Sequence, residues 1–216
     1  TKSSIDAKTI KVLNPKEVVF EGGRELELDA VSEVPRYYVC NAYGVCGIYS
    51  APGTAVKEAY DTSGIVTNDR GVTVWLKGNR VSRNQIMAIK EESVTEQKNS
   101  LAVCLDNILR HAGITRNTEY DLAQGKTATT ILSENMTGVQ VLDLSGCTLD
   151  AVLYYVNQDI PVLAILEDGE AVLVTGFNEF NVVIMEPSTG KLYKKGMNDA
   201  TTWFAENGNH FISYMK

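Results

Sequence analysis

The chain has 216 residues, of which 44% are hydrophobic, and this length and composition are typical of one large globular domain or two small ones. Its net charge of −7 argues against a nucleic-acid-binding surface, since such surfaces are basic. No apolar run approaches the roughly 20 residues that a membrane-spanning helix needs, which argues against membrane insertion.

The first part of the chain is rich in short β-strand patterns. Asn68-Asp69-Arg70-Gly71 is a hairpin signal between two of these patterns. One short helix is predicted after Pro52-Gly53, with Thr54 as its N-cap and Gly64 beyond its end. Strands are predicted at 10–13, 17–20, 25–31, 36–40, 44–49, 65–67 and 72–76, with a last short element at 85–89.

The stretch 91–100 is polar and lacks hydrophobic periodicity, which is typical of a linker. We therefore predict two domains. Residues 1–92 form a small β-rich α+β module, and residues 93–216 form the second domain.

The second part of the chain contains both helical and strand patterns. Helical periodicity predicts helices at 101–112, 119–123, 127–135, 149–158 and 201–206. Apolar runs predict strands at 139–144, 160–166, 171–177, 181–185 and 211–215. Since helices come first and antiparallel strands follow, the expected fold class is α+β.

The four cysteines do not form a metal-binding pattern. Cys40 and Cys46 lie on either side of a five-residue segment, and no His or Cys pair complements them. The simpler interpretation is four small, buried hydrophobic side chains. The alternative is a Cys40–Cys46 disulfide in an exported protein. We predict no metal and no cofactor.

Helix 101–112 is the element around which the second part is organised. Its apolar residues fall on one face, either Asn99 or Ser100 is a good N-cap, and Gly113 is suited to end it. A helix N-terminus collects unpaired N–H groups and a partial positive charge, which stabilises an anion such as a thiolate. Ser100 stands at this position.

Four features follow one another in residues 97–216. Gln97 precedes the capped helix that ends at Gly113, and a later helix enters a buried strand through Ile160-Pro161-Val162. A strand then opens with Gly169-Glu170, and an acidic-Pro-x-x-Gly turn follows at Glu186. In this order the features resemble the papain-like cysteine peptidase superfamily, and within it the bacteriocin-processing (double-glycine) peptidases. The resemblance implies a papain-like fold, with helices packed on an antiparallel sheet.

In active members of this family the helix opens with the nucleophilic Cys, and the Gly-x position is the catalytic His. The residue before the Pro is an Asp or Asn that orients the His, and the upstream Gln donates to the oxyanion hole. The resemblance therefore assigns the Cys position to Ser100, the His position to Glu170, the Asp position to Glu186 and the oxyanion-hole position to Gln97. Only Gln97 matches, and its spacing to Ser100 is short.

Replacement at all three triad positions, rather than at Ser100 alone, favours a natural loss of catalysis. The mechanism needs a thiolate and an imidazole that exchanges a proton near neutral pH. A glutamate, with an ordinary pKa of about 4.3, is a poor base for a serine hydroxyl. If the two glutamates face each other, they could share a proton or hold a cation, but neither arrangement replaces the Ser–His chemistry.

Ser100, Cys104 and His210 are the candidates for an atypical active site. Cys104 is the obvious substitute nucleophile, but it lies on the apolar face of the helix, where we expect it to be buried and protonated. His210 stands at the entrance to the last strand, where we expect a surface residue. A Ser100–His210 dyad has no motif behind it, and Ser100 is most simply a helix cap.

The leading hypothesis is a non-catalytic peptidase homologue that binds a peptide or protein through the former cleft or a domain surface. The predicted binding residues are Gln97, Asn99, Ser100, Glu170 and Glu186. The two acids favour a basic or Gly-rich peptide. The alternatives are an atypical hydrolase that uses Ser100, Cys104 or His210, and a structural or adhesive cell-surface domain.

The expected location is the exterior or cell surface of a bacterium, with the cytosol as the alternative. Exported bacterial proteins commonly contain relatives of this kind. The acidic charge and the start Thr1-Lys2 without Met are compatible with an exported, processed chain.

Overall fold

The computed structural model describes residues 10–14, 17–20, 34–44, 46–78 and 99–216. The predicted strand at 25–31, the predicted element at 85–89 and Gln97 lie outside the described residues.

The first part of the chain forms a hairpin and a small sheet. The hairpin consists of β1 (Ile10–Asn14) and β2 (Glu17–Phe20), which pair antiparallel. The sheet has four antiparallel strands in the order β4-β3-β5-β6. These strands are β3 (Tyr37–Cys40), β4 (Cys46–Tyr49), β5 (Ile65–Asn68) and β6 (Thr73–Leu76), with helix α1 (Pro52–Thr62) between β4 and β5.

Helix α1 begins earlier than predicted, and it ends before Gly64, as predicted. Thr54 is not the N-cap, because the helix starts at Pro52 with Ala51 as its cap. Proline suits the first helical position, since its fixed φ is already helical and its missing N–H would be unpaired there. The helix ends at Ser63, which adopts φ 53° and whose N–H donates to the carbonyl of Ala59.

The preferred interpretation of four buried cysteine side chains is wrong for two of them. Cys40 and Cys46 are exposed and form a disulfide, as in the alternative, because the β3–β4 register sets them directly opposite each other. Cys104 and Cys147 are free and buried, which confirms the expectation for them.

The second part of the chain is a six-stranded sheet with helices. All its strand pairs are antiparallel, in the order β11-β10-β9-β8-β12-β7. The strands are β7 (Gln140–Asp143), β8 (Val162–Ile165), β9 (Ala171–Phe177), β10 (Asn181–Met185), β11 (Leu192–Gly196) and β12 (His210–Met215). The helices are α2 (Ser100–His111), α3 (Glu119–Ala123), α4 (Ala128–Asn135), α5 (Leu149–Val156) and α6 (Met197–Glu206). This mixture of helices and antiparallel strands confirms the α+β class.

The sequence does not predict β11, the strand at one edge of this sheet. Strand β11 carries Lys194 and Lys195, which weaken its strand pattern, although lysines are common on edge strands that must resist further pairing. Helix α6 begins at Met197, four residues before the predicted start, because it follows β11 directly.

One contiguous core joins the two sheets. Every residue of β9 is buried, and helices α2 and α5 both pack on β8 and β9. Across the sheets, the Trp75 indole N–H donates to the carbonyl of Ala151 at 3.0 Å, and the Tyr60 hydroxyl donates to Asp150 at 2.9 Å. The division into domains 1–92 and 93–216 stays a prediction, since its boundary lies outside the described residues. None of the described helices has the length and apolar character to cross a membrane.

Candidate functional site

The head of helix α2 is closed by Asn99. Its side-chain oxygen accepts hydrogen bonds from the N–H groups of Leu101 at 2.9 Å and Ala102 at 3.3 Å. These are two of the N–H groups that a helix leaves unpaired at its start. Of the two residues predicted as caps, Asn99 therefore performs this role, and Ser100 is the first residue of the helix.

Ser100 connects the helix head to the six-stranded sheet. Its hydroxyl is buried, with 8% of the residue exposed, and it accepts a hydrogen bond from the N–H of Ala171 at 2.9 Å. The β9–β10 pairing ends at the Leu173–Met185 pair, so Ala171 lies beyond the last residue of β10. Ser100 thus supplies the hydrogen-bond acceptor for the N–H of Ala171, because β10 ends before it reaches this residue.

Glu170 lies next to this hydrogen bond, directly before Ala171, and it is exposed. Its backbone N–H donates to the carboxylate of Asp168 at 3.0 Å, within the turn that joins β8 to β9. Burial, and secondarily the charge of Glu170, raises the pKa of the Cys104 thiol. The structure therefore brings Ser100 and Glu170 to one end of the sheet.

Glu186 is the first residue after β10, on the neighbouring strand, and it is exposed. Met185, the residue before it, pairs with Leu173 near the start of β9. The Thr189 hydroxyl donates to the Glu186 carboxylate at 3.3 Å. Glu186 therefore belongs to the same end of the sheet, while Gln97 lies outside the described residues.

The two free thiols are poorly suited to nucleophilic attack. Cys104 is fully buried on α2. Burial, together with the charge of Asp143, raises the pKa of the Cys147 thiol to about 12. The Cys147 thiol donates to the carbonyl of Gly53 at 3.3 Å. Since the thiolate is the reactive species, both cysteines are kept in an inert form, as expected for Cys104.

The two histidines of the chain lie at a distance from Ser100, one on β12 and one at the opposite end of α2. His210 is exposed at the start of β12 and pairs with Ile165, which in turn pairs with Ala171. It is therefore two strands, or roughly 10 Å, from Ala171. His111 is at the other end of α2, about 16 Å along the helix axis, where its Nε2 is 2.9 Å from the carbonyl of Asp159.

Two clefts lie elsewhere on the molecule. One, of about 270 Å³, is lined by residues that include Tyr60, Trp75 and Tyr154. The other, of about 500 Å³, lies between the β5–β6 turn and the ends of β7 and β12. Neither is lined by Ser100, Glu170 or Glu186, so the predicted binding residues stay a prediction. Over the ranges that the structure describes, no group of three or more His, Cys, Asp or Glu could hold a metal ion.

Sequence reasoning missed the hydrogen bond between Ser100 and Ala171. The two residues are 71 positions apart, and the partner is a backbone N–H, which carries no side-chain signal. The resemblance to papain-like peptidases was the one signal that related this helix head to this strand.

No protein-family model matches the chain, and no curated protein matches it. Among solved structures, the chain is similar to a protein from Bacillus anthracis named as a C39-like peptidase. The TM-score is 0.50 and the sequence identity is 14%, over 62% of this chain and 98% of that chain. At this identity the likeness shows the fold alone.

Proposed function

We propose that the chain is a catalytically inactive papain-like peptidase homologue that binds a peptide or protein at the head of α2. The observation that carries this proposal is the state of Ser100. Its hydroxyl stands at the helix head, where the family has its thiolate, and is occupied as a buried acceptor for the N–H of Ala171. The fold likeness supports the proposal only at the level of architecture.

Loss of catalysis follows from what surrounds Ser100. Acyl transfer by a hydroxyl needs a base that accepts its proton near neutral pH and returns it to the leaving group. Glu170 stands where the family has His, and a carboxylate is too weak a base for a serine hydroxyl. His210 lies two strands from Ala171, and Cys104 is buried.

The ligand is a basic or Gly-rich peptide segment, because Glu170 and Glu186 are exposed acids at one end of the sheet. We further propose that the protein acts outside the cell or on a bacterial surface. The exposed Cys40–Cys46 disulfide supports this location, since disulfides persist in oxidising environments.

The first test is hydrolysis of a fluorogenic peptide library between pH 5 and pH 9 by the wild-type chain and by Ser100→Ala. We expect no turnover by either protein at any pH. Hydrolysis by the wild type that disappears in Ser100→Ala would refute the loss of catalysis and favour an atypical hydrolase.

The second test is binding of a Lys/Arg-rich peptide, with an acidic peptide of equal length as the control. We expect Glu170→Gln and Glu186→Gln each to weaken binding about two- to fivefold, as for exposed charge pairs, and more strongly at low salt. Glu119→Gln, which removes an exposed acid on α3, should leave the affinity unchanged. Equal binding of the basic and acidic peptides would refute the proposed ligand class.

A further inference from the structure

The smaller of the two clefts, about 270 Å³ in volume, lies where α1 and β6 meet α5, and aromatic rings line it. The Trp75 ring is buried, and the rings of Tyr60 and Tyr154 contact it with centroids 6.1 Å and 6.2 Å away. Both tyrosines are only half-buried, so their rings keep surface that solvent reaches. The cleft therefore presents aromatic surface that packing in the core does not use.

Hydrogen bonds hold these rings in place. The Trp75 indole N–H donates to the carbonyl of Ala151 at 3.0 Å, and the Tyr60 hydroxyl donates to the carboxylate of Asp150 at 2.9 Å. Both acceptors belong to α5, so the two bonds fix the small sheet and its helix against the other wall of the cleft. A surface that is already ordered binds a ligand without the entropy cost of immobilising its own side chains.

Unused hydrogen-bonding groups also line the cleft. Gln158 is exposed and Tyr154 is half-buried. Within the ranges that the structure describes, neither the Gln158 amide nor the Tyr154 hydroxyl makes a hydrogen bond. An amide side chain supplies both donors and acceptors, and a hydroxyl can take either role. The cleft can therefore bind polar groups of either kind beside its aromatic rings.

The charged groups of the cleft balance each other. The Lys77 ammonium lies 4.8 Å from the centroid of the Tyr60 ring and donates to the carbonyl of Tyr60 at 3.2 Å. The carboxylate of Asp150 supplies the opposite charge. Since an ammonium of the chain itself already lies against one ring, the cleft does not favour a cationic ligand. Its volume is near the lower end of the roughly 300–1,000 Å³ of ligand pockets, which suits a molecule of one or two rings.

We propose that this cleft binds a neutral saccharide built from pyranose rings of the gluco configuration. In such a ring the equatorial hydroxyls leave axial C–H groups on both faces, so each face is apolar and the rim is polar. The apolar face lies on the ring of Tyr154, and the hydroxyls hydrogen-bond with Gln158 and Lys77. This site is separate from the head of α2 and does not depend on peptide binding there.

The first experiment follows the fluorescence of Trp75 in the Trp203→Phe variant, in which Trp75 is the only tryptophan. The titrants are glucose, N-acetylglucosamine, cellobiose and chitobiose. Sorbitol is the control, because this open-chain polyol lacks a rigid C–H face. We expect a saturable change with at least one of the four sugars and none with sorbitol. No saturable change with any sugar up to its solubility limit, or an equal response to sorbitol, would refute the proposal.

The second experiment locates the binding. In the same background, Gln158→Ala and Tyr154→Phe each remove one hydrogen-bonding group, and we expect each to weaken sugar binding about two- to tenfold. Gln124→Ala and Tyr120→Phe make the same changes at exposed residues of α3 and its end, and they should leave the affinity unchanged. Unchanged affinity in both cleft variants would refute this site.

Tetramethylammonium tests the competing ligand class, since aromatic rings also bind cations. We expect this ion to cause no saturable change in the fluorescence of Trp75. Saturable binding of the ion without binding of any sugar would overturn the proposal and identify the cleft as a site for cationic groups.

Discussion

Ser100 has a structural use, as a buried hydrogen-bond acceptor. The backbone N–H of Ala171 lies beyond the last β9–β10 pair, and the serine hydroxyl satisfies it in a buried site. A buried donor without an acceptor costs more than an ordinary hydrogen bond contributes, because its desolvation is not compensated. Asn99, next to it, is similarly occupied as the helix cap.

Ser100→Ala is therefore expected to destabilise the protein by about 1–3 kcal/mol, because the N–H of Ala171 loses its acceptor. Urea denaturation of the two proteins measures the difference. Ser188→Ala, at an exposed position on the same end of the sheet, should change the free energy of unfolding by no more than about 0.5 kcal/mol. Equal stability of Ser100→Ala and wild type would contradict the structural role.

At the scale of elements, local signals identified most helices and strands. Thr127 and Thr148 cap α4 and α5, each through its side-chain oxygen, and such caps can be read locally because an N-cap depends only on residues within one turn. Strand β11 is not predicted from the sequence, because its own residues lack a strand pattern. It is a strand because it pairs with β10.

Helix α3 is held by an ion-pair cluster at Asp121, which is 5% exposed. Arg116 lies 3.0 Å and Lys126 lies 3.2 Å from its carboxylate oxygens. The hydrogen bond from Arg116, followed by the interactions with Lys126, holds the pKa of the Asp121 carboxyl below its usual range. A carboxyl whose pKa is lowered on folding stabilises the native state above its unfolded pKa of about 3.9, and this stabilisation is lost as the pH falls below that value.

We therefore expect Asp121→Asn to lower Tm at pH 7, and the difference from wild type to shrink as the pH falls towards 3. Thermal denaturation at several pH values measures this. Glu119→Gln, at an exposed residue of the same helix, should give a small difference that does not depend on pH in this way. A constant difference between Asp121→Asn and wild type from pH 7 to pH 3 would contradict the ion-pair explanation.

At the scale of the whole molecule, the two sheets share a core and exchange hydrogen bonds. Gln140 of β7 links them directly. It accepts a hydrogen bond from Asn68 at 3.1 Å and donates one to the Tyr37 hydroxyl at 2.9 Å. Because these contacts join residues on either side of the predicted domain boundary, we expect residues 34–78 and 99–216 to unfold together.

The two tryptophans of the chain report on the two parts separately, since Trp75 is in β6 and Trp203 is in α6. In Trp203→Phe and in Trp75→Phe, we expect the fluorescence and far-UV circular dichroism midpoints in urea to coincide. Trp75→Phe should also lose about 0.5–1.5 kcal/mol with its hydrogen bond to Ala151. A Trp75 transition that precedes the circular dichroism transition would instead indicate two independent domains.

The sequence by itself determined the α+β class, the position of α2 and the burial of Cys104, because periodicity and capping depend on residues close together in the chain. Only the tertiary structure decided the Cys40–Cys46 disulfide, the extra edge strand β11 and the acceptor role of Ser100. Each of these depends on a pairing register or a distant partner. The local sequence around a residue carries no information about which distant atom the fold places next to it.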